Sequence, residues 1–216
     1  MIVGEALRRR RLQFLAGQFA RPSGLVGRWW IGPWLDRLSR DMNRAAFDAL
    51  APAAGERVVE IGFGGGDLLQ MVLDQPVERL LGVDISEAMV KRAARRFRGE
   101  IAAGRLQLVL GSAESLPIGD GGADRLCSVN NIYFWEEPED VIEEFARVLA
   151  PGGRAVICLE TPASLRGWPG HRYGFQIHEP DDVADMLIRS GFTAATVSRQ
   201  ADPKLGEFAT VSAVRS

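Results

Sequence analysis

The chain has 216 residues, 46% hydrophobic and 25% charged, which excludes a disordered or fibrous protein and supports one domain core without disulfide or metal staples. Its 26 basic and 28 acidic residues nearly cancel to a net −2, so the chain as a whole is not built to coat nucleic acid. Two cysteines and two histidines, widely scattered, are too few for a zinc site, and no apolar run reaches the roughly 18–20 residues of a membrane span.

Residues 1–50 differ from the rest. They carry nine arginines against Glu5, Asp36, Asp41 and Asp48, a net +5, leaving −7 for the remainder, and they hold Trp29, Trp30 and Trp34. This segment reads as an N-terminal helical cap on a domain spanning 51–216. Within it Leu12, Leu15, Ala16 and Phe19 recur at helical spacing beside Arg8–Arg11. Three readings of that helix stay open: packing on the core with a solvated basic face, contact with an anionic membrane surface, or steering of an anionic soluble substrate.

From Glu56 short apolar runs alternate with helical stretches. Strands are expected at Arg57–Ile61, Arg79–Val83, Leu106–Leu110, Arg125–Val129 and Arg154–Leu159, and helices at Asp67–Leu73, Ser86–Phe97 and Pro138–Leu149. Pro151-Gly152-Gly153 reads as the stop between that last helix and the next strand. A final helix, Asp181–Ser190, precedes two strand-like runs, Thr193–Ser198 and Phe208–Val214, suited to pair antiparallel at the sheet edge. Continuous apolar strands alternating with helices indicate a doubly wound, Rossmann-like, mostly parallel α/β sheet. Cys127 and Cys158 lie inside apolar strands, as reduced buried thiols of a cytoplasmic protein would.

The first strand runs into a glycine-rich turn, Val58-Val59-Glu60-Ile61-Gly62-Phe63-Gly64-Gly65-Gly66-Asp67. In such a sheet the ligand lies beyond the carboxyl ends of the strands, and glycines let the backbone approach it. A dinucleotide fingerprint needs a third glycine where this chain has Asp67, a carboxylate that would repel a pyrophosphate at the helix N-terminus. Glu60, at the end of a buried strand, suits a ligand with an ammonium group. Asp84, ending the second strand, suits the two hydroxyls of a ribose. A ribose and a cation without a phosphate describe S-adenosylmethionine.

These residues resemble the class I S-adenosylmethionine-dependent methyltransferases. The resemblance runs from Arg57 to Gly191 through Val58–Gly66, Gly82–Ser86, Gly111-Ser112-Ala113-Glu114-Ser115-Leu116-Pro117, Ala123-Asp124 and Arg147–Arg154, and it is nearest to small-molecule methyltransferases. It implies that Glu60 anchors the methionine ammonium, that Gly62 and Gly64 border the methionine portion, and that Asp84 holds the ribose. Ile85 would pack on the adenine, and Ala113 would meet its edge through the backbone. Ser112 stands where the family commonly has Asp, so the adenine amino group would meet a hydroxyl, with Glu114 able to compensate. Asp124 is read as organising the turn into its strand.

Methyl transfer from a sulfonium needs alignment and exclusion of water more than it needs a base. Acceptor residues are therefore expected at the strand ends. Asn130 would approach the cofactor, and Tyr133 would either line the acceptor pocket or pack under the next helix. The long connection 160–180 would lid the site. It carries His171, the best available general base or else a surface histidine, and His178, which precedes the final helix. The expected activity is methylation of a small, apolar or amphiphilic molecule, with a membrane-associated acceptor such as a phospholipid as alternative. A nucleic-acid or protein methyltransferase and a cofactor-binding module without turnover are the rival classes. The absence of a Pro-Pro pair between Asn130 and Tyr133 and the near-neutral charge count against a nucleic-acid partner.

Overall fold

The computed structural model describes residues 9–17, 39–203 and 206–216. Its centre is a seven-stranded sheet in the order β3-β2-β1-β4-β5-β7-β6. The strands are β1 (Arg57–Ile61), β2 (Arg79–Asp84), β3 (Leu106–Leu110), β4 (Ala123–Val129), β5 (Leu149–Glu160), β6 (Phe192–Asp202) and β7 (Gly206–Arg215). The first five pair in parallel, and β7 runs antiparallel between β5 and β6. The reversed strand is therefore next to the edge, and the edge strand itself is β6. Helices α1 (Arg40–Leu50), α2 (Asp67–Leu73), α3 (Glu87–Arg96), α4 (Arg98–Ala102), α5 (Pro138–Val148), α6 (Pro162–Gly167) and α7 (Pro180–Arg189) complete the framework.

Side-chain alternation along the strands feeds two cores, one on each face. Val59, Ile61, Leu126 and Ile157 face α5 and α7, where Val141, Ile142, Phe145, Val183 and Leu187 are fully buried. Val58, Leu80, Cys127, Val156 and Cys158 face α1, α2 and α3, with Met42, Leu50, Leu69 and Met89 against them. Burying each such side chain contributes roughly 1.5–3 kcal/mol, which holds neighbouring strand ends in register. Both cysteines are free thiols, and burial pushes the pKa of each above the usual thiol range.

Opposite the carboxyl edge, Arg57 clamps Asp124 through its backbone N–H at 2.8 Å and its guanidinium at 2.8 and 3.0 Å. This pair holds the Asp124 carboxyl below its ordinary range and ties the starts of β1 and β4 together.

The Pro-Gly-Gly stop falls differently from the expectation. Helix α5 ends at Val148, and Leu149 already pairs with Ala123. The next pair is Arg125 with Arg154, so Pro151–Gly153 form an irregularity inside β5 instead of the gap before it. Gly152, at φ +80°, supplies the left-handed residue this bulge needs.

In the N-terminal segment, residues 9–17 are helical. Ala16 is buried, Leu12 and Leu15 are half-buried, and Arg9–Arg11 and Phe14 are exposed. Helix α1, also within the segment read as a cap, packs directly on β4, β5 and β7 through Met42, Ala45, Ala46 and Leu50. Arg8, Phe19, Trp29, Trp30 and Trp34 lie outside the described residues. Among the described residues no helix is long and apolar enough to cross a membrane.

Candidate cofactor and acceptor site

The chain leaves β1 toward β2 and β3 on one side and returns to β4 on the other, so the crevice of the sheet opens at the carboxyl ends of β1 and β4. The glycine loop emerges there. Gly62 donates its N–H to Val83 O at 2.7 Å, has φ +68°, and has no room for a side chain, because a Cβ would lie 2.1 Å from Asn131 Oδ1. Gly66, at φ +86°, begins α2, and Asp67 in its first turn is held by Arg96 at 2.9 Å. The N-terminus of α2 thus carries a carboxylate already, as the dinucleotide argument required.

Glu60 is buried at 4% exposure, paired in register with Cys127. Asp84 is 6% exposed and accepts the N–H of Gly64 at 2.9 Å on one oxygen and that of Ser86 at 2.8 Å on the other. Burial raises its pKa to about 6, and the two N–H donors only partly offset this. Each oxygen keeps a further lone pair for a ligand donor. Ser86 also caps α3, accepting from Met89 N at 3.3 Å.

Beside Asp84 two apolar side chains stand in solvent, Ile85 at 45% and Leu110 at 51% exposure, and Leu110 is Asp84's partner across β2 and β3. Ser112 is half-buried, Ala113 buried and Glu114 exposed.

After β4 the two asparagines point in different directions. Asn130, at φ +60°, turns its amide toward α1, where Nδ2 donates to Ser39 Oγ and to Met42 Sδ, each at 3.2 Å. Asn131 lies against the glycine loop instead. Its Nδ2 donates to Val129 O at 2.8 Å, Ser128 Oγ at 3.0 Å and Ile61 O at 3.1 Å. Sequence reasoning singled out Asn130 and passed over its neighbour.

Tyr133 is 2% exposed. Its hydroxyl donates to Asn130 Oδ1 at 3.1 Å and accepts the backbone N–H of Glu160. Burial, followed by the Glu160 charge, pushes its pKa well above the usual phenol range. Its ring joins Phe134, Phe175 and Trp168 in a cluster with centroid separations of 4.7–6.1 Å. This cluster ties connection 160–180 to the turn after β4, and Gln176 N donating to Tyr133 O at 2.9 Å reinforces it.

Within that connection, Nδ1 of His171 lies 2.6 Å from Trp168 O, so Nδ1 carries the proton of the neutral ring and Nε2 the lone pair. His178 is elsewhere, just ahead of α7. Its Nε2 is buried without a partner, and desolvation lowers its pKa against the opposing charges of Glu139 and Asp182.

Two further carboxylates end strands of the same sheet, Glu160 on β5 and Asp202 on β6. Glu160 ends β5, half-buried, and burial followed by the charge of buried Asp202 raises its pKa to about 7. Glu160 repeats the pattern of Glu60, an acid ending an apolar strand, and that signal was present in the sequence. A separate groove of about 470 Å³ opens between α1 and β6–β7, lined in part by Asp41, Arg44, Asp48, Gln200 and Thr210. It shares no residue with the glycine loop or Asp84. Among the described residues no group of three or more His, Cys, Asp or Glu is placed to hold a metal ion.

The family described as "Methyltransferase domain" matches residues 59–157. The uncharacterized methyltransferase YdaC of Bacillus subtilis is 33% identical over 123 residues, which are 56% of this chain and 66% of that protein. The ubiquinone/menaquinone biosynthesis C-methyltransferase of Paracoccus denitrificans is 32% identical over 141 residues, 64% of this chain and 56% of that protein. The chain spans about half to two thirds of the length of the curated relatives it matches. Geranyl diphosphate C-methyltransferase from Streptomyces coelicolor superposes with a TM-score of 0.71 at 15% identity, covering 93% of this chain and 84% of that one, a likeness of fold alone.

Proposed function

Because the chain belongs to the class I S-adenosylmethionine-dependent methyltransferases, we propose that it transfers the cofactor's methyl group to a small, apolar or amphiphilic acceptor. The observation that carries the acceptor reading is the aromatic cluster of Phe134, Trp168 and Phe175 between connection 160–180 and the turn after β4. Relatives that include a quinone-biosynthesis C-methyltransferase support the same class.

The residues present fit the cofactor: a glycine loop with no room for a side chain at Gly62, a carboxylate with spare lone pairs, and exposed Ile85 beside it. When bound, S-adenosylmethionine supplies a methyl group made electrophilic by its sulfonium. Glu60, Gly62 and Gly64 hold the methionine portion, Asp84 the ribose, Ile85 the adenine face, and Ser112, Ala113 and Glu114 the adenine edge. Asn130 carries Tyr133, and Tyr133 serves as a positioning residue, since both sides of its hydroxyl are engaged within the protein. His171 receives the acceptor's proton on Nε2 wherever the attacking atom carries one. Residues 1–50 act as a cap and 160–180 as a lid on the domain 51–216, keeping water from the sulfonium. Buried, reduced thiols at Cys127 and Cys158 suit the cytoplasm, and the near-neutral charge suits a partner other than nucleic acid.

The test is methyl transfer from radiolabelled cofactor to a panel of demethylated quinones, isoprenoid diphosphates, phenols and a short DNA duplex. Label in a small organic acceptor supports the proposal, and label in the duplex alone overturns it. A membrane-associated acceptor is a second reading, favoured by exposed Phe14 beside exposed Arg9–Arg11 on one helix. It requires sedimentation with phosphatidylglycerol vesicles that weakens as salt rises.

A further inference from the structure

The charge of this molecule is segregated by element. Helices α5 and α7 pack side by side on one face of the sheet, with Arg189 reaching Glu139 at 3.2 Å. Around that contact Asp140, Glu143, Asp182 and Asp185 are exposed, and among the described residues none of the four has an ion-pair partner. Helical spacing sets Asp181, Ala184, Asp185 and Ile188 on one stripe of α7, turned away from buried Val183 and Leu187. Ile188 is 48% exposed. It stands at the edge of the sheet opposite the crevice, because α7 leads into the start of β6, which lies across β7 from Arg154 toward the amino end of β5.

The helix over residues 9–17 is the complement. Arg10 and Arg11 stand one turn before Phe14, all three exposed, Phe14 at 53%. On its other side Leu12 and Leu15 are half-buried and Ala16 is buried. Arg9, Arg10 and Arg11 have no ion pair among the described residues, so the acids of α5 and α7 in the same chain do not hold them.

Both surfaces thus set an apolar residue about one turn from like charges, with the signs reversed, an arrangement that steers and orients a protein contact. Lipid is the poorer partner, because the apolar side of the helix is already turned inward and leaves one phenyl group to insert. We propose that the α5–α7 face docks the 9–17 helix of a second copy of this chain, with Phe14 beside Ile188 and Arg10 and Arg11 against Asp182 and Asp185. Every chain carries both surfaces, so a twofold pair satisfies both and doubles the contact area. A one-way contact would instead grow into an open chain.

The test is sedimentation equilibrium of the full chain over a concentration series. The wild type is expected to form a dimer that dissociates as sodium chloride rises from about 0.05 to about 0.5 M, since salt screens exposed charges. Arg10→Glu with Arg11→Glu, and separately Asp182→Lys with Asp185→Lys, should each raise the dissociation constant by about 100-fold or more, because each sets like charges against each other. Mixed one to one, the two reversed variants should pair again, since each then meets its complement on the other. Ile188→Ser is expected to weaken the dimer as well, and it stands in if a reversed variant does not melt cooperatively. A wild type that is monomeric at every salt concentration, reversed variants that still dimerise, or a mixture that stays monomeric overturns the proposal. So does open polymer in place of dimer. A monomer that sediments with phosphatidylglycerol vesicles assigns the helix to lipid and overturns it too.

Discussion

Asp84 is subject to two opposing demands. Burial favours its neutral form, whereas the role proposed for it, accepting from ribose hydroxyls, needs the carboxylate. A rise from 3.8 to about 6 corresponds to a cost on the order of 3 kcal/mol for keeping the charge at this buried position. Because the folded pKa is the higher one, the folded chain binds the extra proton between about pH 4 and 6. Asp84 therefore lowers stability as pH rises through that window. Ligand affinity runs the opposite way. Binding of S-adenosylhomocysteine should weaken about tenfold between pH 7.5 and pH 5 as Asp84 protonates, and calorimetry at the two values measures it. In Asp84→Ala the affinity at pH 7.5 should fall by about 1–3 kcal/mol and the pH dependence should flatten. An unchanged affinity in a folded variant would place the ribose elsewhere.

Tyr133 makes a contrasting residue-scale claim. Tyr133→Phe removes the acceptor of the Glu160 N–H and the donor to Asn130, so it should cost about 1–3 kcal/mol of stability. Thermal melting reads this as a drop of several degrees. S-adenosylhomocysteine affinity should stay within about twofold, because the hydroxyl is engaged by protein groups. A large loss of affinity at unchanged melting temperature would instead make Tyr133 a ligand residue.

The elements differ in how openly the sequence announces them. Strands β1 and β3 and helix α2 match their expected limits, since each is a continuous apolar run bounded by turn residues. The start of β5 does not match, because Pro-Gly-Gly has the same appearance in a helix stop as in a bulge, and only the pairing of Leu149 with Ala123 separates the two. Connection 160–180 is anchored by edge-to-face packing of Phe175 on Phe134, a pairing between separate segments that no local pattern encodes, with Trp168 against Phe175 from within the connection. Phe175→Ala should therefore accelerate limited proteolysis within 160–180 while sparing S-adenosylhomocysteine binding. Equal proteolysis rates would mean that other contacts hold the connection.

At the scale of the whole molecule, the crevice at the carboxyl ends of β1 and β4 was legible in the sequence and the packing around connection 160–180 was not. Glu60, Gly62 and Asp84 sit on local signals, an acid or a glycine at the end of an apolar strand, and the parallel order of β3-β2-β1-β4 brings them to one crevice. Asn130 and Asn131 are identical in sequence, and only the left-handed backbone at Asn130 sends one amide to α1 and the other to the glycine loop. Glu160 and Asp202 influence each other only because β7, lying between β5 and β6, brings the ends of those two strands to one edge of the sheet. The central claim is that this crevice takes a nucleoside with a cationic arm and no phosphate. Calorimetry of the wild-type chain with S-adenosylhomocysteine and, separately, with NAD tests it most directly. Saturable binding of S-adenosylhomocysteine with no heat from NAD is the predicted result, and binding of NAD in preference to S-adenosylhomocysteine would contradict it.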